Sequence, residues 1–413
     1  MDGGTDGRWR PGRLTMAGAD GGLAIDGGTP VRTTLLPYAR QQLNDEDVAA
    51  VVEALRSEWL TTGPRVRAFE AVLEAATGAR HAVAFSSGTA ALHGAAIAAG
   101  LGAGDEAITT PMTFAATANC VLYAGAEVRF ADVSRGSLLI RPDLVEAAIT
   151  PRTKALLPVD YSGQPADYVA LRAIADRAPG GSIMIIADAS HSLGATRDGR
   201  AVGTMADMSI LSLHPAKILT TGEGGAVLTD DEHLAARLRR FRNHGISDEL
   251  ATRRDWTYAM VELGYNYRLT DIGAALGISQ LARLDEFLAR RRALAARYLD
   301  QLGGHDLLDM PVIESGAEPA WHFMFIQLRL NRLRVDRGAV FHAMRAEGIG
   351  VNVHYIPVHQ HPYYRERYPG LAFPVADAAY ERLLTLPLHA GMTDADVDDV
   401  VAALDKVTSA YRA

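Results

Sequence analysis

A chain of 413 residues, 48% of them hydrophobic and 22% charged, is long enough for one large core and a smaller second unit. The formal charge of -8 offers no basic footprint for nucleic acid or an acidic membrane surface, and no apolar run approaches the roughly 18 to 20 residues that cross a bilayer. The single cysteine, Cys120, excludes an intrachain disulfide framework, argues against a thiolate metal cluster and suits the cytoplasm, so no metal site is expected.

Residues 1–22 are rich in Gly and Asp, lack the apolar segment of a secretory signal and read as a loose arm. Leu43-Asn44-Asp45-Glu46 offers a cap to a helix from Val48 to Leu55, and a second helix is expected from Arg65 to Ala76. Ala82 to Phe85 reads as a short buried strand, Ser86-Ser87-Gly88-Thr89 as the turn after it, and the alanine-rich run to about Ala99 as the next helix. Strands from Glu106 to Thr110 and Glu127 to Phe130 then flank a helix from Ala115 to Tyr123. Further apolar runs lie at Lys154 to Val159, Ile183 to Ala187, Met208 to Leu213 and Gly225 to Leu228, with a helix near Ala166 to Ala178. This alternation predicts an α/β fold, a mostly parallel sheet with helices on both faces and functional residues at strand ends. From Asp271, apolar residues three or four apart predict one long helix or two joined ones, leading from a large domain (23–280) into a small α+β domain (281–413). The small domain carries strand candidates from Phe323 to Leu330 and from Val351 to Tyr355, and a last helix from about Asp394 to Tyr411.

A Ser-Gly-Thr turn at a helix N-terminus presents backbone N–H groups to a phosphate, although the same residues serve equally as an ordinary cap. Ser86 to Thr89 lacks the spacing and lysine of a Walker A loop, and Gly88 has no partner glycine for a dinucleotide fingerprint. Asp188 closes an apolar run, where a carboxylate is either a strand-end cap or an anion at the mouth of the sheet whose desolvation a cation would offset. Lys217 by itself reads as a surface lysine. Its setting argues otherwise: Pro215 precedes it, Thr220-Thr221-Gly222-Glu223-Gly224-Gly225 follows it, and Ser212 brings a hydroxyl to the same turn. A lysine able to close a Schiff base and an aspartate able to keep a pyridine nitrogen protonated are two parts of a pyridoxal phosphate (PLP) site.

From Leu23 onward the chain resembles the sugar aminotransferases of the DegT/DnrJ/EryC1/StrS family, which are fold-type I PLP-dependent transferases. The likeness is carried in order by Trp59-Leu60-Thr61-Thr62-Gly63-Pro64, Ser86-Ser87-Gly88-Thr89-Ala90-Ala91-Leu92, Thr113-Phe114-Ala115-Ala116-Thr117, Asp188-Ala189-Ser190-His191, the Lys217 segment and Gly264-Tyr265-Asn266-Tyr267-Arg268. It implies that Lys217 is the Schiff-base lysine, that Asp188 partners the pyridine nitrogen, and that Gly88, Thr89 and Ser212 bind the phosphate. Phe114 matches an aromatic residue that stacks on the cofactor ring, and His191 stands where many relatives have glutamine, near the PLP phenolic oxygen. Asn266 matches a residue that reaches the cofactor phosphate from the neighbouring subunit, which implies a homodimer with a shared active site. On the residues alone Phe114 also reads as core, His191 as a hydrogen-bonded histidine beside the sheet, and Asn266 as a cap or turn. Arg268 reads as a structural ion-pair partner or as a binder of a substrate carboxylate or phosphate. Trp321, His322, His354, Tyr355 and His359 are candidates to line the outer pocket, with ordinary packing as the alternative for each.

The segment from Gly264 to Asp271, the run from Ala275 to Leu281 and the stretch from Val351 to His359 resemble the branch that aminates C4 of a UDP-linked 4-keto-6-deoxy-N-acetylhexosamine in pseudaminic acid biosynthesis. The activity so implied moves an amino group from L-glutamate to a nucleotide-linked keto-sugar, with pyridoxamine phosphate as the intermediate cofactor form. A 3-keto sugar or keto-cyclitol of an antibiotic pathway and a non-catalytic PLP-binding regulator are the alternatives. Relatives that dehydrate sugars at C3 carry histidine at the Lys217 position, and a nicotinamide enzyme would need the missing glycine fingerprint.

Overall fold

The segment from Leu213 to Gly224 contains no helix, so it cannot carry the chain back to a parallel neighbour and closes a hairpin instead. That reversal shapes the main sheet. In the computed structural model, which describes residues 22–179, 181–247 and 256–413, the expected arm lies outside the described residues except for Gly22. The strands in chain order are β1 (His81–Phe85), β2 (Glu106–Thr109), β3 (Glu127–Phe130), β4 (Thr153–Leu157), β5 (Met184–Asp188), the short β6 (Thr196–Arg197) and β7 (Arg200–Ala201), β8 (Met208–Ser212) and β9 (Gly225–Thr229). Seven of them form one sheet in the order β1-β9-β8-β5-β4-β2-β3. The neighbours from β8 to β3 pair in parallel, whereas β9 runs antiparallel to both β1 and β8.

Period-two burial sends alternate residues of one strand to opposite faces, and β1 illustrates it. Val83 and Phe85 pack with α3 (Gly88–Ala98) and α4 (Ala115–Tyr123), while Ala82 and Ala84 join the core beneath α2 (Pro64–Thr77). Helix α1 (Asp45–Arg56) opens on the expected cap: Asn44 Oδ1 accepts from the Asp47 N–H and Asp47 returns the favour to the Asn44 N–H. Helices α5 (Pro142–Ala148), α6 (Tyr168–Asp176) and α7 (Glu232–Phe241) complete the cover. The periodic run after Asp271 resolves into two joined helices, α8 (Asp271–Leu281) and α9 (Leu284–Leu302). Among the described residues no helix is long and apolar enough to cross a membrane.

Helix α9 belongs to two cores. Its first turns bury Phe287 and Leu288 against the main sheet's cover, and its later turns bury Leu294, Tyr298 and Leu302 in a second cluster. That second core surrounds the small sheet β10 (Leu308–Asp309), β12 (Met324–Leu328) and β13 (Leu383–Leu386), with β11 (Ala317–Glu318) paired to β6 instead. Helices α10 (Arg337–Ala346) and α13 (Asp394–Ala410) pack on it; α11 (Pro362–Arg367) and α12 (Pro374–Arg382) lie between them in sequence. Leu23 and Leu36 also join the second core, and the buried Glu347 carboxylate accepts from the Ala24 and Val31 N–H groups and pairs with Lys406. The segment from Leu23 to Leu36 therefore packs with the C-terminal core, not with the sheet to which its place in sequence assigned it.

Val351 to Tyr355 is not a strand. Asn352 makes one bridge to Thr385, after which the chain leaves the sheet edge and delivers His354 and Tyr355 elsewhere. Against the turn that follows β1, a Cβ placed on Gly225 would come within 2.5 Å of Ser87 O and 2.6 Å of the Gly88 nitrogen. Close backbone approach is the reason for glycine there. A Gly225→Ala protein should therefore lose about 1 to 3 kcal/mol, read as a lower urea midpoint with an unchanged m-value.

Candidate active site

Every parallel strand ends on the same side of the sheet, and a cavity of about 420 Å³ opens there. Ser87, Gly88 and Thr89 enter it after β1, Thr113 and Phe114 after β2, Val159 after β4, Asp188, Ser190 and His191 at the end of β5, and Ser212 with Lys217 after β8. The turn after β1 is shaped by Ser87, whose Oγ caps α3 by accepting from the Ala90 N–H at 3.1 Å. Gly88 lies so close to Ser212 that an added Cβ would meet Ser212 Cβ at 3.0 Å and Oγ at 3.2 Å. The α3 N-terminus and the Ser212 hydroxyl thus border one small hollow.

Asp188 is buried and donor-poor. Its Oδ2 accepts from Thr117 Oγ1 at 2.6 Å and its Oδ1 from the Ser190 N–H at 3.2 Å, leaving lone pairs for a further donor. Thr117 stands one helical turn after Thr113, and the two hydroxyls share a hydrogen bond of 2.8 Å. Lys217 sits in the β8–β9 hairpin, whose buried Ile218 and Leu219 anchor the turn while Thr220 Oγ1 donates to Leu213 O. Lys217 lines the cavity, and desolvation brings its ammonium down to about 8, with Asp188 pulling the other way.

Three histidines complete the inner wall. His191 and His322 are buried with ring centroids 4.6 Å apart, and the Nδ1 of each is buried without a protein partner. His191 Nε2 lies 3.0 Å from Tyr355 Oη, and His354 Nδ1 lies 2.9 Å from Thr385 Oγ1. Burial first, and the Lys217 charge second, hold His191 and His322 far below the ordinary imidazole range and His354 at about 3. Behind them the buried Arg291 has no carboxylate partner among the described residues. Its Nη1 donates to the carbonyls of Trp321, His322 and Leu388 and its Nη2 reaches Lys217 O at 3.4 Å, tying the hairpin to the second core.

Of the residues singled out in the sequence, Gly88, Thr89, Phe114, Asp188, His191, Ser212, Lys217, His322, His354 and Tyr355 meet in this cavity. Phe114 is 62% exposed, so it is not core. Trp321 does not reach the cavity: it is buried in the second core. His359 also turns away, because its Nε2 is held by Asp377 at 3.0 Å beside a separate surface hollow. Asn266 is exposed and bridged to Asn243, and Arg268 donates to Asn243 Oδ1 in another hollow shared with Arg67, Arg239 and Arg242. Tyr38, Thr113, Glu223 and the Thr117 support were not expected; Thr113 and Thr117 at i, i+4 facing a strand-end aspartate was the available signal for the last.

A family model for DegT/DnrJ/EryC1/StrS aminotransferases matches residues 41–405 of this chain. The chain belongs to that family. It is 40% identical over 380 residues to the Bacillus subtilis spore coat polysaccharide biosynthesis protein SpsC, covering 90% of this chain and 97% of that protein. Among solved structures, Helicobacter pylori PseC, an aminotransferase involved in the biosynthesis of pseudoaminic acid, superposes with a TM-score of 0.86 at 28% identity, covering 92% of this chain and all of PseC. The PLP form of Streptococcus pneumoniae Spr1654 gives 0.85 at 29% identity, covering 91% and 99%. Family members of different pathways thus resemble this chain, and its relatives do not single out the pseudaminic acid branch.

The buried imidazoles make stability pH-dependent. His389, buried beyond β13 with neither ring nitrogen partnered, is lowered to about 4 by desolvation and by nearby Arg291. The unfolded chain protonates this ring near 6.5, so between there and about 4 it binds the extra proton, and stability falls as pH falls through that window. His389→Leu should flatten the acid limb of stability against pH by up to about 3 kcal/mol, measured by urea unfolding at pH 7 and pH 4.5.

Proposed function

We propose that this protein is a PLP-dependent aminotransferase that moves an amino group from L-glutamate to a keto group, at C4, of a nucleotide-linked keto-deoxysugar. The observation that carries the reading is a lysine whose amine is brought down to about 8, sharing a strand-end cavity with a buried, under-hydrogen-bonded aspartate. The residues present fit PLP: the α3 N-terminus with Ser87, Thr89 and Ser212 suits a phosphate, the unused lone pairs of Asp188 suit a protonated ring nitrogen, and the orphaned Nδ1 of His191 suits a ring oxygen. Phe114, exposed at the cavity, offers its face to a flat ring.

The chemistry that PLP supplies when bound is an aldehyde that condenses with amines and a ring that accepts electrons. The chain's own groups do the rest. With its ammonium near 8, Lys217 Nζ is partly unprotonated around neutral pH, able to act as nucleophile and then, once free, to remove a proton from a bound amino acid and return it elsewhere. Asp188, oriented by Thr117, would hold a proton on its ring partner. The buried neutral histidines add hydrogen-bonding groups to the wall without adding positive charge beside Lys217.

We also propose a homodimer with a shared site. Asn266 and Arg268 lie outside this chain's cavity, on a side that carries half-exposed Trp59 and exposed Tyr265, where a second copy would bring its own cavity to them. The C4 position and L-glutamate rest on the sequence resemblance and the cytoplasm on the single cysteine; SpsC, a polysaccharide biosynthesis protein, and PseC, of pseudoaminic acid biosynthesis, support the sugar class alone.

Capture of PLP by the cofactor-free protein, followed by visible absorbance, should quicken about tenfold per pH unit below about 8 and level off above it, and Lys217→Ala should capture none. Restored PLP absorbance after adding a UDP-linked 4-keto-6-deoxysugar to the pyridoxamine phosphate form would assign the reaction; absorbance unmoved by any keto-sugar would refute it. Mixing Lys217→Ala with Asn266→Ala protein should regain activity that neither has alone, whereas no regain after confirmed subunit exchange would remove the shared site.

A further inference from the structure

Tyr355 and His191 lie 164 residues apart in the chain. His191 follows β5 of the main sheet, while Tyr355 lies on the extended segment that leaves the small sheet after Asn352. Their side chains meet at 3.0 Å, Tyr355 Oη to His191 Nε2. The other ring nitrogen, Nδ1, is buried without a protein partner, and the residue lines the cavity. The ring is not free to turn over: His322 packs against it at 4.6 Å, Phe323 approaches edge-on at 5.4 Å, and Tyr355 lies nearly parallel at 6.1 Å.

We propose that Tyr355 is a positioning residue that fixes the tautomer of His191: the phenol O–H donates to Nε2, so the imidazole proton resides on Nδ1 and serves as a donor to an acceptor oxygen bound in the cavity. A phenol is a stronger acid than a neutral imidazole N–H, and an imidazole nitrogen is a better acceptor than a phenol oxygen, so the shared hydrogen bond runs from tyrosine to histidine. A neutral ring has one proton to place, and burial beside Lys217 keeps this ring neutral while burial keeps the Tyr355 phenol protonated. A buried N–H without an acceptor costs free energy, and the cavity's occupant is the remaining source of one. The occupant is PLP only if the functional reading above holds; the tautomer belongs to the protein alone. Because His191 comes from the end of β5 and Tyr355 from the segment that leaves the small sheet, the donor is set only when these two parts of the chain are seated against each other.

The test uses full-length protein labelled with ¹⁵N-histidine, with His191 assigned by comparison with His191→Gln. Long-range ¹⁵N–¹H spectra of the cofactor-free wild type should give the Nδ1–H form, and Tyr355→Phe should shift His191 toward a mixture; an Nε2–H form in the wild type overturns the proposal. In PLP-bound protein, Tyr355→Phe should raise the pH midpoint of the visible absorbance by about one unit, since loss of a donor to an anionic oxygen weakens the ionised form. Glutamine offers its N–H without a tautomer, so Tyr355→Phe should add little on top of His191→Gln. A full additional shift in that double variant means that Tyr355 acts by another route and overturns the proposal. A wild type that captures no PLP refutes the functional reading, and the spectra of the cofactor-free protein then decide the tautomer on their own.

Discussion

Taking the Lys217 amine out of water beside Asp188 costs free energy, and the geometry of the surrounding sheet is what makes the arrangement tolerable. Desolvation favours the neutral amine and the carboxylate favours the ammonium; the first is larger, and the balance falls at about 8, where both protonation states of the lysine are accessible. That balance requires the carboxylate to stay where it is. Thr117 and the Ser190 N–H hold it, and Thr117 is itself fixed by Thr113, so the anion is oriented by groups that do not neutralise it. A second buried acid, Asp160, steadies the next layer: its N–H donates to Asp188 O, and its carboxylate accepts from Ser192, Tyr168 and the Ala166 N–H. Burial raises Asp160 to about 6 despite those three donors.

The reversal of one strand places the lysine. In a wholly parallel sheet the chain would leave β8 for a crossover helix; here it turns back at once, and Lys217 remains at the strand end where β1, β2, β4 and β5 also finish. The hairpin needs anchors on both sides. Ile218 and Leu219 supply them in the main core, and the Arg291 guanidinium, spread over four carbonyls, supplies one from the junction with the second core. Gly225 then lets β9 begin directly against the Ser87–Gly88 backbone, so the hairpin and the turn that caps α3 are held as one unit.

Much of this was legible in the sequence because it is local. Short apolar runs separated by amphipathic stretches mark the strands of the main sheet within a residue or two, and strands alternating with helices imply that Asp188, Gly88 and Lys217 end on one side of a sheet. What stayed hidden depends on partners far away in the chain. Val351 to Tyr355 has the composition of a strand, yet past the single bridge at Asn352 its side chains meet Thr385 and His191 instead. His359 carries the same residue type as His354 only five positions on, but Asp377 captures it. Trp321 looks like a pocket aromatic, and its position beside His322 sends it into the second core while its neighbour faces the cavity. Tyr38 reaches the site because Leu36 bridges to Ile349 and its own carbonyl accepts from Leu388, contacts that no local pattern announces.

The division of labour between the two cores bears on how one scaffold serves different sugars. Residues that face the lysine from the main sheet, Asp188, Ser212, Gly88 and Thr113, ride on strand ends and helix caps, where packing leaves them little freedom. Tyr38, His322, His354 and Tyr355 come from extended segments outside the main sheet. Loops on a rigid scaffold tolerate change, so the second set can be altered without disturbing the amine and carboxylate. His322 and His354 pack their rings against Phe323, and Tyr355 reaches across to His191; a substitution in this group therefore reshapes the outer cavity and, through His191, alters the inner one. Substrate choice and cofactor tuning would then be coupled through a single phenol.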